Sequence, residues 1–488
     1  MIDMEALPAR IDAIVRRHAL TTPDAPALRE DGRTLSYAQL VKEIDACAAW
    51  LRGLQVQAGE RVMLVSENGI AQVTALFAIA SLDAWVVNVN ARLTSPELEA
   101  IRSHCGARVL LYTAAVSPDA AAHAARAGAQ AHGELMASVH ADHGAPEPVA
   151  EQPVAALVYT TGTTGNPKGV MLSHRNLLFV AAVSSRLRGL VPGDLAYGVL
   201  PVSHVYGLTS VLLGTLHAGA CLRLAPRFTP RAMLDAIRNE GLSIVQGVPA
   251  MYARLLELCA LDGIEQPVQS TLRFAYAGGS PLDPALKRDV ESLLGVPLHN
   301  GYGLTEAAPT VSQTRLDAPR ADTSVGHPIP GVEVRVEGAD GKLFVRGPNV
   351  MQGYYRDPEG TAAVVDADGW LDTGDLARQD ADGALFIAGR SKELIIRSGF
   401  KVYPLEVETV LNAHPAVTQS AVVGRRLDDG NEEVVAFVQP AAGNALAPDV
   451  LDGWAAARLA PYKRPARIVF MDQLPAAASG KVLKHRLI

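Results

Sequence analysis

Cysteine is scarce: Cys47, Cys105, Cys221 and Cys259 are the full complement of a 488-residue chain, and no two form a CxxC pair. That excludes a disulfide framework and a paired-cysteine zinc or redox motif. It reads as a reduced, cytoplasmic protein whose thiols act as small apolar side chains. Long apolar runs are also missing. The longest, near Val73–Val87, is interrupted by Ser81 and Asp83, so no segment is expected to span a bilayer. The amino terminus lacks the basic stretch and apolar core of a secretory signal. There is no excess of positive charge: the net value of −7 excludes a general nucleic-acid binder. His123, His132, His140 and His143 stand without a cysteine or paired carboxylate to help them, which argues against a metal centre there.

What is present is the composition of a globular α/β protein, 49% hydrophobic with 42 glycines. At roughly 150 residues per domain the length implies about three structural units. Helical spacing covers Leu7–Ala19 and Ser36–Leu54, the latter with Ser36 as its N-cap. Strands are predicted at Arg61–Ser66, Ala84–Val89 and Val109–Tyr112, with a helix over Ile70–Ser81. The stretch Thr113–Gln152 reads as surface helix and linker. Strand–helix alternation resumes from Ala155 to about Tyr302, the pattern of parallel sheets covered by helices. Gly331–Val345 turns antiparallel around Asp340-Gly341, and Asp382-Gly383 leads into another hairpin. The fold class expected is therefore α/β for a large amino-terminal domain, with layered parallel sheets and a distorted antiparallel, barrel-like subdomain. A compact α+β carboxyl-terminal domain follows. The boundary is placed near Arg390–Lys392, giving domains 1–390 and 391–488. From Trp454 onward Arg458, Lys463, Arg464, Arg467, Lys481, Lys484 and Arg486 face Asp472 alone. A basic tail on an acidic protein suits a cap that closes over phosphates.

The most informative stretch is Thr160-Thr161-Gly162-Thr163-Thr164-Gly165-Asn166-Pro167-Lys168-Gly169. Its glycines let backbone N–H groups approach an anion, its threonines offer hydroxyl donors, and Lys168 supplies a mobile positive charge. Together these suit a polyphosphate. The apolar runs Ala155–Tyr159 and Val170–Leu172 frame it as strands. A Walker A loop needs Gly, four residues, then Gly-Lys-Ser/Thr. Pro167 stands where its second glycine would be, which disfavours a P-loop kinase or GTPase.

Further segments carry chemistry in a fixed order. They are Pro201-Val202-Ser203-His204-Val205-Tyr206-Gly207, Ala277-Gly278-Gly279-Ser280-Pro281, Asn300-Gly301-Tyr302-Gly303-Leu304-Thr305-Glu306 and Trp370-Leu371-Asp372-Thr373-Gly374-Asp375. Gly389-Arg390-Ser391-Lys392-Glu393, Arg397-Ser398-Gly399-Phe400-Lys401-Val402-Tyr403-Pro404 and Ser479-Gly480-Lys481 complete the series. Each alone has a bland reading as a turn, a core aromatic or a solvated lysine; their joint occurrence does not. From about Ala27 to the last residue the chain resembles the adenylate-forming superfamily of acyl-CoA synthetases, peptide-synthetase adenylation domains and beetle luciferase. Within it the chain is most similar to a bacterial acyl- or aryl-CoA ligase.

The resemblance implies roles residue by residue. The 160–169 loop holds the ATP β- and γ-phosphates, Thr305 meets the α-phosphate, and Glu306 holds Mg²⁺. Tyr302 stacks on adenine, with Asn300, Gly301, Gly303, Gly279 and Ser280 around the nucleotide. Asp375 accepts from the ribose hydroxyls and Arg390 adds a donor. Lys481 bridges the substrate carboxylate and the α-phosphate, and Thr305, His204 and Lys168 join it as catalytic residues. The acyl pocket is lined by His204, Val205, Tyr206, Gly207, Gly247, Val248, Pro249, Gly278, Gly279 and Ser280. Lys392 is the hinge, and Arg397, Ser398, Gly399 and Phe400 line the coenzyme A channel. These residue types suit those tasks: a carboxylate is an acceptor suited to a diol, and a flat ring suits a purine face.

The implied reaction activates a carboxylic acid with ATP to an acyl-adenylate and pyrophosphate. Coenzyme A then attacks the adenylate and AMP leaves. Because the chain stops shortly after Lys481 with no carrier domain, coenzyme A is the expected acceptor; a separate carrier protein is the alternative, and a non-catalytic adenylate sensor a further one. Pocket glycines are expected to leave room between apolar walls, favouring an aromatic, hydroxycinnamic or medium-to-long-chain acid over acetate. Malonate-activating relatives carry an Arg just before the Tyr-Gly of the adenine motif, whereas Asn300-Gly301 stand here, which disfavours a dicarboxylate. A homodimer stays open.

Overall fold

The computed structural model describes residues 4–148, 150–161, 167–264, 266–397, 400–427, 431–441, 446–477 and 482–487, Thr161 by its backbone alone. Gly162, Thr163, Thr164, Gly165, Ser398, Gly399 and Lys481 of the expected site thus lie outside the described residues.

Two large sheets form the body. Among the described residues the first has eight strands, in the order Gly353–Tyr354, Pro167–Ser173, Val154–Thr161, Trp85–Asn90, Arg61–Ser66, Val109–Tyr112, Leu135–Val139, Gln130–His132. The second has nine: His327–Pro328, Thr310–Gln313, Leu298–Gly303, Phe274–Ala277, Ile244–Gly247, Leu195–Gly198, Cys221–Leu224, Pro26–Glu30, Arg33–Ser36. Their centres are parallel and their margins antiparallel. The helix Ile70–Ser81 is apolar on every side and packs against strands of both sheets, so it is buried from Ile70 through Ala80. Helix Tyr37–Gly53 begins at Ser36 with a reciprocal Ser36–Gln39 capping box.

Two regions depart from expectation. The first helix runs Ala13–Thr21, later than its apolar spacing implies, and begins after Asp12. The 113–152 stretch does contain a helix, Pro118–Arg126, but also the strands Gln130–His132 and Leu135–Val139. These hairpin around Gly133, whose φ of 58° is left-handed, and they finish one edge of the eight-stranded sheet. Strands this short leave too little alternation to detect.

A four-stranded antiparallel sheet follows: Glu333–Glu337, Lys342–Arg346, Leu371–Gln379, Leu385–Arg390. Bulges distort it, but it does not close into a barrel; four strands are too few to curl round on themselves. Residues 395–459 contribute a core of their own around Val407, Leu411, Val422, Ala436 and Leu451. There the helices Pro404–Asn412 and Pro448–Ala456 accompany the sheet Val417–Arg426, Glu432–Pro440, Arg467–Phe470.

Candidate active site

Strands Val154–Thr161 and Pro167–Ser173 pair antiparallel, so Thr160 lies opposite Lys168. The late strand Gly353–Tyr354 joins their outer edge, with Tyr354 opposite Val170. Lys168 Nζ therefore sits 4.5 Å from the centre of the Tyr354 ring and 3.8 Å from Asp357 Oδ2. On the other side the Tyr354 hydroxyl donates to Glu306 Oε1 at 2.9 Å. One phenol thus links the lysine and the carboxylate that the sequence singles out. Burial, then the Glu306 charge, pushes its pKa up, so it remains a donor. The Glu306 carbonyl accepts from the Met351 N–H at 2.8 Å. Thr305 is buried at the start of the short 3₁₀ helix Thr305–Ala307. Tyr354 and Asp357 escape the sequence reading; the signal was Gly353-Tyr354-Tyr355, a tyrosine pair behind a glycine in a chain with 5% aromatics.

Asp375 and Arg390 are cross-strand partners in the four-stranded sheet. The Asp375 carboxylate, 5% exposed, accepts from Arg390 Nε at 3.0 Å and from the Tyr302 hydroxyl at 2.5 Å. Burial first, and the Asp375 charge next, hold the Tyr302 phenol far above its ordinary pKa. For Arg390 burial works downward, but Asp375, Glu393 and Tyr302 outweigh it and the pKa rises. The Asn300 side chain is bonded within the protein. Its amide nitrogen donates to the carbonyls of Thr323 and Ser324, at 3.1 and 3.2 Å, and its oxygen accepts from the Gly301 N–H. The side chain is spent on holding the loop, which leaves backbone as what this position presents.

The acid-side residues come together at the ends of three neighbouring parallel strands, which lead into Gly247-Val248-Pro249, Gly278-Gly279-Ser280 and Asn300-Gly301. Facing them is the π-helical run Tyr206–Leu213. His204 is exposed and its Nδ1 accepts from the Tyr206 N–H at 3.3 Å. Val205 and Tyr206 are buried. The room expected beside the glycines is largely taken. A Cβ on Gly207 would stand 2.1 Å from the Pro201 carbonyl oxygen. One on Gly247 would meet the Tyr252 ring at 3.1 Å, and one on Gly278 the rings of Tyr276 and Tyr206 at 3.2 and 3.3 Å. Gly279, with φ +80°, is the open one, its nearest neighbour being Val248 at 3.6 Å. These glycines serve close packing more than volume. The surroundings are not wholly apolar either: buried Arg188 and Gln246 stand beside Tyr206 and Tyr276.

In the carboxyl-terminal region Arg397 Nη1 donates to the carbonyls of Tyr462 and Arg464, at 3.3 and 2.7 Å. Phe400 stacks on Tyr462 with centroids 4.6 Å apart and keeps 54% of its surface exposed. Lys392 is exposed in the turn Ser391–Glu393. Its neighbour Glu393 accepts from Lys484 Nζ at 2.8 Å, and buried Glu408 accepts from the same nitrogen at 2.9 Å. Ala476 bridges Val482, and the Leu483 N–H donates to the Pro475 carbonyl at 2.8 Å.

Fold and polar groups together define an adenylate-forming enzyme: two stacked sheets, a further antiparallel sheet carrying a buried acceptor carboxylate, and a small unit with its own core. The chain belongs to the AMP-binding enzyme family, whose model matches residues 15–355, with the AMP-binding enzyme C-terminal domain at residues 406–481. It is 37% identical over 481 residues to a feruloyl-CoA synthase of Amycolatopsis sp., covering 96% of each chain. It is 33% identical over 517 residues to 4-coumarate–CoA ligase 2 of Oryza sativa subsp. japonica, covering 96% of this chain and 90% of that one. Its structure is similar to that of an anthranilate CoA ligase solved in complex with anthranoyl-AMP, with TM-score 0.87, 25% identity and coverage of 100% and 98% of the two chains.

Proposed function

We propose that this chain is an ATP-dependent acid–CoA ligase acting on aromatic, hydroxycinnamate-like carboxylic acids. The observation that carries the reading is the joining of Tyr302, Asp375 and Arg390 into one hydrogen-bonded group in a chain of this family. A buried acceptor carboxylate with a phenol and a guanidinium fixing its orientation suits a ribose diol.

A free carboxylate is a poor electrophile. In the first half-reaction its oxygen attacks the α-phosphorus of ATP, forming the mixed anhydride and expelling pyrophosphate. Two anions must meet, so Lys168 and Lys481 screen their repulsion; each well-placed donor is worth about 3 kcal/mol in rate. Glu306 would hold Mg²⁺: one of its oxygens accepts from Tyr354, and a hard carboxylate oxygen suits that ion. When bound, the ion would neutralise phosphate charge. In the second half-reaction the coenzyme A thiol attacks the acyl carbonyl and AMP departs. Domain 391–488 pivots at Lys392 relative to domain 1–390, withdrawing Lys481 and presenting Arg397–Phe400 to the pantetheine arm. The enzyme works in the cytoplasm, where its four unpaired, buried cysteines stay reduced; whether it pairs as a homodimer is settled by its mass in solution.

The decisive measurement is pyrophosphate release across a panel of acids, with and without coenzyme A. Acid-dependent release that yields an acyl-CoA supports the ligase; nucleotide binding without release refutes it. Lys481→Ala should abolish adenylate formation yet spare thioester formation from supplied acyl-AMP. Lys392→Pro should slow the second step more than the first.

A further inference from the structure

Arg188 follows the helix His174–Leu187 and is 1% exposed. Its bonds go to neutral partners. Nη1 donates to the Ser210 carbonyl and to Gln246 Oε1, and the guanidinium carbon lies 4.3 Å from the centre of the Tyr276 ring. No carboxylate pairs with it among the described residues, and its Nε has no hydrogen-bond partner. Two neighbours repeat the pattern. Gln246 Nε2 and the Tyr206 hydroxyl are also buried without a partner. All the unmet atoms in this connected group have donors to give. A buried cation lacking an anion, beside unmet donors, is costly unless an acceptor arrives to meet them.

The group lies directly beneath the acid-side glycines. Gln246 and Tyr276 are register partners on adjacent parallel strands, one residue before Gly247 and two before Gly278. Tyr206 and Tyr276 meet edge-to-face at 6.2 Å, and both rings face the Cβ position of Gly278. An acid held by its carboxylate near the nucleotide would direct its far end at this floor.

We infer that Arg188, with Gln246 and Tyr206, recognises a single oxygen acceptor on the ring end of the substrate remote from its carboxylate: a phenolic hydroxyl, its phenolate or an ether oxygen. Nη1 is committed to Ser210 and Gln246, while Nε, the Gln246 amide nitrogen and the Tyr206 hydroxyl are the donors left without partners; 4-carboxycinnamate tests whether a distal carboxylate takes them instead. Tyr206 and Tyr276 supply faces and edges suited to a flat ring. The inference rests on the ligase reading above and makes Arg188 and Gln246 specificity-determining residues.

The test compares kcat/KM of the full-length enzyme for cinnamate, 4-hydroxycinnamate and 4-carboxycinnamate, with ATP and coenzyme A saturating. The wild type should favour 4-hydroxycinnamate over cinnamate by about tenfold or more, because unmet buried donors reject the analogue lacking the oxygen. Arg188→Met should shrink that ratio at least about tenfold, the loss falling on the hydroxylated acid. Its melting temperature should change little, since removing a buried cation that has no carboxylate partner offsets the loss of its bonds to Ser210 and Gln246. Tyr206→Phe deletes a hydroxyl that has no partner in the protein, so it should fold and narrow the ratio in the same direction. An unchanged ratio in both variants, or a wild type that prefers 4-carboxycinnamate, overturns the inference and leaves the ligase standing. If no acid releases pyrophosphate, the ligase reading falls and this inference with it.

Discussion

The Tyr302 hydroxyl reaches Asp375 Oδ2 at 2.5 Å across 73 positions of chain, joining the last parallel strand of the nine-stranded sheet to the four-stranded antiparallel one. It satisfies a carboxylate that is nearly sealed from water, so the two residues depend on each other for stability as well as orientation.

Tyr302→Phe removes that donor and leaves the carboxylate under-bonded. Stability should fall by about 1–3 kcal/mol, read as a lower urea midpoint at unchanged slope. Asp375→Asn turns an acceptor into a partial donor. It should lower kcat/KM for ATP about ten- to a hundredfold with a smaller effect on the acid's KM.

Tyr354→Phe keeps the ring beneath Lys168 and drops the bond to Glu306. The Mg²⁺ concentration for half-maximal pyrophosphate release should rise about threefold or more. Tyr354→Ala loses both contacts and should also cut kcat/KM for ATP by about a further threefold or more. Equal behaviour of the two variants would show that the ring contact with Lys168 contributes nothing.

Gly207→Ala places a methyl 2.1 Å from a backbone oxygen, which cannot step aside as a flexible side chain would. It should lower the melting temperature by about 4 °C or more, and displace His204, reducing kcat/KM for the acid. Gly214→Ala, whose new carbon would find nothing closer than 3.6 Å, should fold normally and gain about 0.4–1 kcal/mol in its helix.

His174 and His299 are buried, and burial presses each imidazole down to about 4. The unfolded chain protonates them near the ordinary histidine value of 6.5. Between these values the unfolded state binds more protons, so their contribution is complete above the upper value and declines as pH drops towards the lower one. The loss is about 3 kcal/mol for each group by the bottom of the window. Denaturant melts across that range should show the slope, and His299→Gln should flatten it.

Lys484 is the sole described cation bonded to both Glu393 and Glu408. Burial alone would lower its pKa, but Glu408 and Glu393 outweigh that and raise it. Lys484→Met strands a buried carboxylate and should cost about 3–5 kcal/mol. Adenylate formation should suffer more than thioester formation, because the same tail carries Lys481; Lys484→Arg should restore most of both. Equal losses in the two half-reactions would mean a purely structural role.

Periodicity was enough to read the inner elements. Arg61–Ser66, Ile70–Ser81 and Val109–Tyr112 have the bounds their sequences announce, because strands and helices sealed on all sides are mostly apolar, their few polar side chains, such as Arg61 and Gln72, being hydrogen-bonded inside. Gln130–His132 and Leu135–Val139 were illegible because they finish an edge, where a strand of a few residues carries little pattern. Motif order indicated Asp375, Tyr302 and Arg390 singly; that the phenol would bond the carboxylate is a fact of three dimensions. Tyr354 was missed for the same reason: its meaning comes from the lysine it lies under and the glutamate it bonds. Of the pocket glycines only Gly279 stands open, since a string does not show that a carbonyl lies against Gly207 or tyrosine rings against Gly247 and Gly278.

The strand Gly353–Tyr354 seals the outer margin of a sheet whose neighbouring strand was laid down nearly two hundred residues earlier. A polypeptide released before it is made, whether from the ribosome or by a protease, would leave the Pro167–Ser173 backbone bare and ready to pair with another chain. Shortened forms ending ahead of Gly353 should therefore cluster into insoluble material rather than persist as independent nucleotide-binding fragments.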